Sequence, residues 1–225
     1  MEKNAKGIEL LQAGKTEEAI KLFTEAIEEN PQDPLAYINF GNVLTVVGEE
    51  SKAKRFFERA IEIDEHAAPA YYSLGNIYYR QEKFQEAIAW YEKAIKHQLK
   101  GNDVYYMLGM CFMQMDKPRL ALPYLQRSVE LNGDDIEARF QYGLSLAKNQ
   151  VYNEAINQLE QVIEKDPKHA DAHYNLGVAH IALEENAEIG LSYFKKALQI
   201  QPDHMLAGYG KKIIEKSTAE KSKTK

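Results

Sequence analysis

Six glycines, Gly7, Gly41, Gly75, Gly109, Gly143 and Gly177, follow one another at a constant interval of 34 residues. Twelve residues beyond each of the first five stands an alanine: Ala19, Ala53, Ala87, Ala121 and Ala155. After the sixth glycine the small residue is Gly190, thirteen places on. A fixed interval in this range means that the chain is a stack of equal supersecondary units. One such unit cannot bury its own apolar face, so stability comes from packing between neighbours and not from a single globular core.

Around these glycines the apolar residues recur at helical spacing. In the first unit Ile8 and Leu11 are followed, after a break at Gly14, by Ala19, Ile20, Phe23, Ala26 and Ile27. Asn30-Pro31 closes the unit, because proline disfavours helix at the residue before it. Asp33-Pro34 supplies an N-cap and a first helical residue for the next. Each period therefore predicts helix, short turn, helix, short loop, with units at 1–33, 34–67, 68–101, 102–135, 136–169 and 170–202. In the sixth, Gly190, Phe194, Ala197 and Pro202 fall one place late, which puts an inserted residue in the turn around 184–186, where it costs least. Residues 203–216 carry Met205, Leu206, Tyr209, Ile213 and Ile214 and predict a capping helix. Residues 217–225, with three lysines and no large apolar side chain, are expected to be a disordered basic tail. Pro123 falls inside the second helix of the fourth unit, where it removes a backbone hydrogen bond.

The formal net charge of -6 argues against a polyanion binder, and direct binding of nucleic acid is not expected. One cysteine, Cys111, excludes an intramolecular disulfide framework and suits a reducing cytosol. With no stretch that reads as a signal peptide or a membrane span, a soluble cytoplasmic protein without membrane contact is expected. No catalytic arrangement emerges. The repeat glycines are isolated and mid-helix and form no phosphate loop. Cys111 stands where other units have Val43, Ile77, Ser145 and Ala179, a packing position. His173 and His180 replace core aromatics or leucine, and with His169 they give no metal site. No cofactor is expected.

The run Tyr71, Leu74, Gly75, Tyr78, Ala87, Tyr91 and Ala94 resembles the tetratricopeptide repeat (TPR), and equivalent positions recur over residues 1–202. The first unit lacks the early aromatic, and Glu65, Leu99 and Gly133 replace the closing proline of units two to four. The resemblance implies an all-α fold: an α-solenoid of six helix-turn-helix repeats winding into a right-handed superhelix, with a concave groove that takes protein partners and no activity of its own. Carried over position by position, it assigns to the groove a row made of Ile38, Tyr72, Tyr106, Phe140 and Tyr174. Beside this row it places Asn39 and Asn175, then Asn42, Asn76 and Met110, then Tyr79 and Met113, and Arg80 and Lys148. Aromatics supply rigid contact area at low entropic cost. Asparagine can both donate to and accept from a peptide backbone, and Arg80 and Lys148 would meet a partner carboxylate. An extended peptide or helix of a protein partner is the expected ligand. The resemblance also allows a co-chaperone-like peptide binder, or an accessory factor bridging tRNA-modification (thiolation) enzymes.

Overall fold

The computed structural model describes the backbone of residues 2–184 and 186–223, and the side chains of all of these but 184 and 219–223. The described residues form thirteen α-helices and no strand. They are α1 (Glu2–Gln12), α2 (Thr16–Glu29), α3 (Pro34–Val46), α4 (Glu50–Ile63), α5 (Ala68–Arg80), α6 (Phe84–Lys96) and α7 (Asp103–Gln114). After them come α8 (Pro118–Leu131), α9 (Ile136–Lys148), α10 (Tyr152–Lys165), α11 (Ala170–Glu184), α12 (Ala187–Ile200) and α13 (Met205–Lys223). None of these helices is long and apolar enough to cross a membrane. The chain divides into two compact units, Met1–Cys111 and Phe112–Lys225, so that the division falls within α7.

In the first unit α1 packs on α2, α3 on α4 and α5 on α6, while α3 also touches α1 and α5. In the second, α9 pairs with α10, α11 with α12, and α13 lies on α12. The glycine at the centre of five of these hairpins is a notch for a large side chain of the second helix. A Cβ at Gly7 would come within 2.7 Å of the Phe23 ring, at Gly41 within 2.6 Å of Phe57, at Gly143 within 3.0 Å of Leu159 and at Gly177 within 2.7 Å of Phe194. At Gly75 it would strike Tyr91. The alanines Ala19, Ala53, Ala87, Ala121 and Ala155 are wholly buried beside these residues. Where Gly190 takes the place of the alanine, its backbone oxygen would stand 3.0 Å from a Cβ at Gly177, so there the two backbones approach directly.

The turn inside each hairpin repeats with the same period. Gly14, Gly48, Glu82, Asp116 and Gln150 all have left-handed φ, between 53° and 83°. In each, the amide of the left-handed residue and the amide after it bond back into the preceding helix, as Gly48 N to Thr45 O (3.2 Å) and Glu49 N to Leu44 O (2.8 Å). This is the Schellman arrangement, which satisfies carbonyls that the helix end would leave bare. Only the first two turns have the glycine that this conformation favours. The sixth hairpin has no such turn among the described residues: α11 runs 15 residues to Glu184, and Asn186 caps α12 by accepting from the Ile189 amide at 3.2 Å. The inserted residue expected around 184–186 thus falls partly on Glu185, outside the described residues.

A second device ties four of the loops to the helix after them. The side chain four places before the repeat glycine bonds to the carbonyl six residues upstream of itself. Tyr37 Oη donates to Pro31 O (3.3 Å), Tyr71 Oη to Glu65 O (3.1 Å) and Arg139 Nη2 to Gly133 O (2.9 Å). His173 Nε2 lies 3.1 Å from Pro167 O. A carbonyl can only accept, so this nitrogen carries the proton. Tyrosine, arginine and histidine are interchangeable here because each combines an apolar body with a donor at its tip. His173 and His180 therefore do substitute for core aromatics, and His180 stacks on Tyr193 at 5.5 Å. Among the described residues no group of three or more metal-ligating side chains occurs.

One expectation needs correcting. Residues 217–223 are not a disordered tail, since α13 continues to Lys223. Beyond Gly210 the helix meets no glycine or proline, and Ala219, Glu220 and Lys221 are strong helix formers. Residues 224 and 225 lie outside the described residues. Pro123 sits on the exposed side of α8, and the helix runs through it.

Candidate peptide-binding face

The first helix of each hairpin presents the predicted groove residues, and their surroundings sort them. In the first unit Tyr72 is half-buried on α5, its ring 5.6 Å from that of Tyr91, and burial raises its phenol pKa. Tyr91 is the wholly buried side chain that fills the Gly75 notch. The visible tyrosine thus rests on a ring that the glycine admits. Tyr91 Oη donates to Asn76 Oδ1 at 2.8 Å, and the Asn76 side chain offsets part of the rise in the Tyr72 phenol pKa. Asn76 is expected to read a peptide backbone, but its side-chain oxygen is taken by Tyr91, because burial leaves the Tyr91 hydroxyl no water to bond.

Asn42 is exposed on α3 and accepts from Ser73 Oγ of α5 at 3.1 Å, a cross-link between consecutive repeats on this face. Asn39 is half-buried, and its Nδ2 has no acceptor among the described residues. Tyr79 is half-buried, edge-on to Phe84 at 5.4 Å. Arg80 is exposed but engaged: its Nε donates to Glu50 Oε1 at 2.8 Å, and Gln81 Nε2 donates to the other carboxylate oxygen at 3.2 Å. These bonds, the one from Arg80 foremost, hold the Glu50 carboxyl below its ordinary range. Tyr106 and Met110 are half-buried on α7.

In the second unit Tyr174 repeats the arrangement of Tyr72. Its ring stacks at 5.4 Å on Phe194, which fills the Gly177 notch, and lies 5.2 Å from His204. Burial raises its pKa as well. Phe140 departs from the expectation: it is only 7% exposed and packs in the core with Ile156 and Leu159. His169, the last residue of the same repeat, lies 4.4 Å from its ring. Ile38, at the same helix position in the first unit, is likewise core. Met113 and Asn175 are half-buried, and the Asn175 amide turns back to the Asp171 carbonyl at 2.7 Å. Lys148 is exposed, 3.7 Å from Asp116. Arg80 and Lys148, expected to meet a partner's carboxylate, thus each have an internal one.

One further tyrosine is equivalent in register once the slip in the sixth repeat is counted. Tyr209 of α13, 35 places after Tyr174, is 67% exposed. The one-residue slip in the sixth repeat hid it from a search at a period of 34. Cys111 is fully buried, and desolvation pushes its thiol up to about 12, which makes it inert.

Tetratricopeptide repeat models match residues 10–74, 68–98, 103–135 and 170–204, and a TPR repeat model matches 143–183. YrrB, described as a TPR protein with an unusual peptide-binding site, superimposes with a TM-score of 0.79 at 49% identity, covering 84% of this chain and 97% of that one. The chain belongs to the tetratricopeptide repeat family. The TPR repeat-containing protein YrrB of Bacillus subtilis also matches in sequence, 51% identical over 39 residues, which is 17% of this chain and 19% of that protein. PilF of Pseudomonas aeruginosa shares the fold at 22% identity, with a TM-score of 0.78 over 92% of this chain and 94% of its own. MamA does so at 23% identity, with a TM-score of 0.69 over 76% and 93%. TPR proteins generally mediate protein–protein interaction.

Proposed function

We propose that this TPR chain is a non-catalytic scaffold whose first helices grip an extended segment or a helix of a partner protein. The observation that carries the reading is the pairing of a half-exposed aromatic with a buried ring, Tyr72 on Tyr91 and Tyr174 on Phe194. Each surface ring is fixed before a ligand arrives, so little side-chain entropy remains to be lost on contact. Aromatic anchors of this kind dominate interface energetics. Asn42 adds an exposed amide able to bond a peptide backbone. YrrB, with its peptide-binding site, supports the same reading.

Charge is a secondary term. With Glu50 on Arg80 and Asp116 on Lys148, an acidic peptide end would have to displace an internal carboxylate, which argues against a clamp for acidic C-termini. Partners crosslinked in native cells and identified by mass spectrometry supply the test. The variant Tyr72→Ala/Tyr106→Ala/Tyr174→Ala is expected to lose them while keeping wild-type helicity. Retention of the same partners by that variant would refute the aromatic anchors.

A further inference from the structure

Two histidines that the peptide-binding face does not use meet on the surface of the first unit. His66 lies in the loop between α4 and α5, His97 is the C-cap of α6, and their Nδ1 atoms are 3.2 Å apart. The ring of one and the backbone of the other are held in place. The His97 ring lies flat on Tyr71, at 4.8 Å and 3°. The backbone amide of His66 donates to Asp64 Oδ1 at 2.9 Å, which fixes the loop in an Asx turn. The Glu65 carboxylate stands 3.8 Å from Nε2, on the other side of the His66 ring. With Lys96 and Gln98 the two histidines line an open cavity of about 460 Å³.

Two ring nitrogens facing each other at this distance share either a proton or a cation. Zinc–imidazole bonds of about 2.0–2.1 Å at a tetrahedral angle place two ligand nitrogens about 3.3 Å apart. The separation already present is nearly that, so the Nδ1 proton of the donating ring need only shift through water to its own Nε2, and the rings pivot until both Nδ1 lone pairs converge. We propose that His66 and His97 form a two-histidine site for a divalent transition metal of the zinc type, with water completing its coordination. Imidazole nitrogen prefers such ions over magnesium or calcium, which favour oxygen. Coordination through Nδ1 leaves the Nε2–H of His66 free to donate to the Glu65 carboxylate, 3.8 Å away, and an outer-shell carboxylate of this kind orients a ligating imidazole and raises its basicity. Lys96 on the cavity wall opposes a cation and keeps the site weak. A bound ion ties the α4–α5 loop to the end of α6, and its open positions can accept a donor from another molecule. The two residues are 31 apart in sequence and occupy different positions of the repeat.

The test is calorimetric titration of ZnCl₂, up to about 1 mM, into the full chain freed of any purification histidines, at pH 7.5 in a non-coordinating buffer. One saturable site is expected, weakened at least ~10-fold in His66→Gln and equally in His97→Gln, and unchanged in His204→Asn. Magnesium chloride should give no saturable heat. Circular dichroism shows that each variant is folded. Absence of saturation in the wild type overturns the assignment, as does wild-type affinity in either the His66 or the His97 variant.

Discussion

Glycine introduced into the turns that lack it should stabilise the protein. Glu82 and Gln150 are held at φ of 57° and 63°, and both side chains are exposed. A Cβ in the left-handed region costs roughly 1–2 kcal/mol. Glycine relieves that strain but adds freedom to the unfolded chain, which opposes the gain by roughly 0.5–1 kcal/mol. The expected net stabilisation is about 0.5–1 kcal/mol for Glu82→Gly and the same for Gln150→Gly. The two positions belong to different units, so the increments should add. For a chain of this length each kcal/mol raises Tm by about 2–4 °C. Scanning calorimetry gives the total, and hydrogen exchange of the flanking helices separates the two hairpins where unfolding is not all-or-none. Gly48→Ala, at φ 83°, is the matched control and should lose about 1 kcal/mol. If both glycine variants match the wild type and Gly48→Ala does too, backbone strain does not govern these turns.

Gly75→Ala forces a Cβ into the Tyr91 ring and should cost about 1–3 kcal/mol in urea denaturation. Adding Tyr91→Leu, the residue that faces Gly143 in the second unit, should restore part of that; no recovery in the double variant would mean the clash lies elsewhere. Asn76→Ala strands the buried Tyr91 hydroxyl and should destabilise by about 1–3 kcal/mol, whereas exposed Asn42→Ala should change stability by less than about 0.5 kcal/mol. Equal effects of the two would remove the distinction drawn between them. His173 is held below its ordinary pKa, chiefly by burial, so the unfolded chain takes up its proton first. Its contribution is complete above about pH 6.5 and declines as the pH falls below that, toward its lowered folded-state value. In His173→Tyr, which keeps a donor for the Pro167 carbonyl, the drop in Tm from pH 7.5 to 5.5 should shrink; an unchanged drop would assign it to other groups. Cys111 should resist thiol reagents in the folded protein and react fully in denaturant, and rapid labelling of the native chain would contradict its burial.

The hairpins were legible because the glycines and alanines that mark them are steric requirements, repeated with little variation. Exposure along the groove row was not legible, because it depends on packing from residues far along the chain. Phe140 and Tyr174 are equivalent in register and each has a histidine against its ring, His169 and His204, yet Phe140 is core and Tyr174 is half-buried. Pairing was equally hidden: nothing in the local sequence links Arg80 to Glu50, thirty residues earlier. The loop-tying side chain shows the opposite case. Arg139 breaks the aromatic pattern and still makes the bond that Tyr37 and Tyr71 make, because the geometry asks for a reach and a donor and not for a ring.

The packing of Tyr72 against Tyr91 joins recognition to folding by mass action. Tyr91 belongs to α6, the helix behind the binding face, and its hydroxyl is tied to Asn76 of α5. A partner that immobilises Tyr72 therefore stabilises the closed α5–α6 hairpin over its opened forms by its own binding free energy. Amide protons of α6, which no ligand on the face of α5 would touch, should then exchange more slowly in the complex. Occupancy of the groove becomes readable from the far side of the hairpin, without knowing what occupies it.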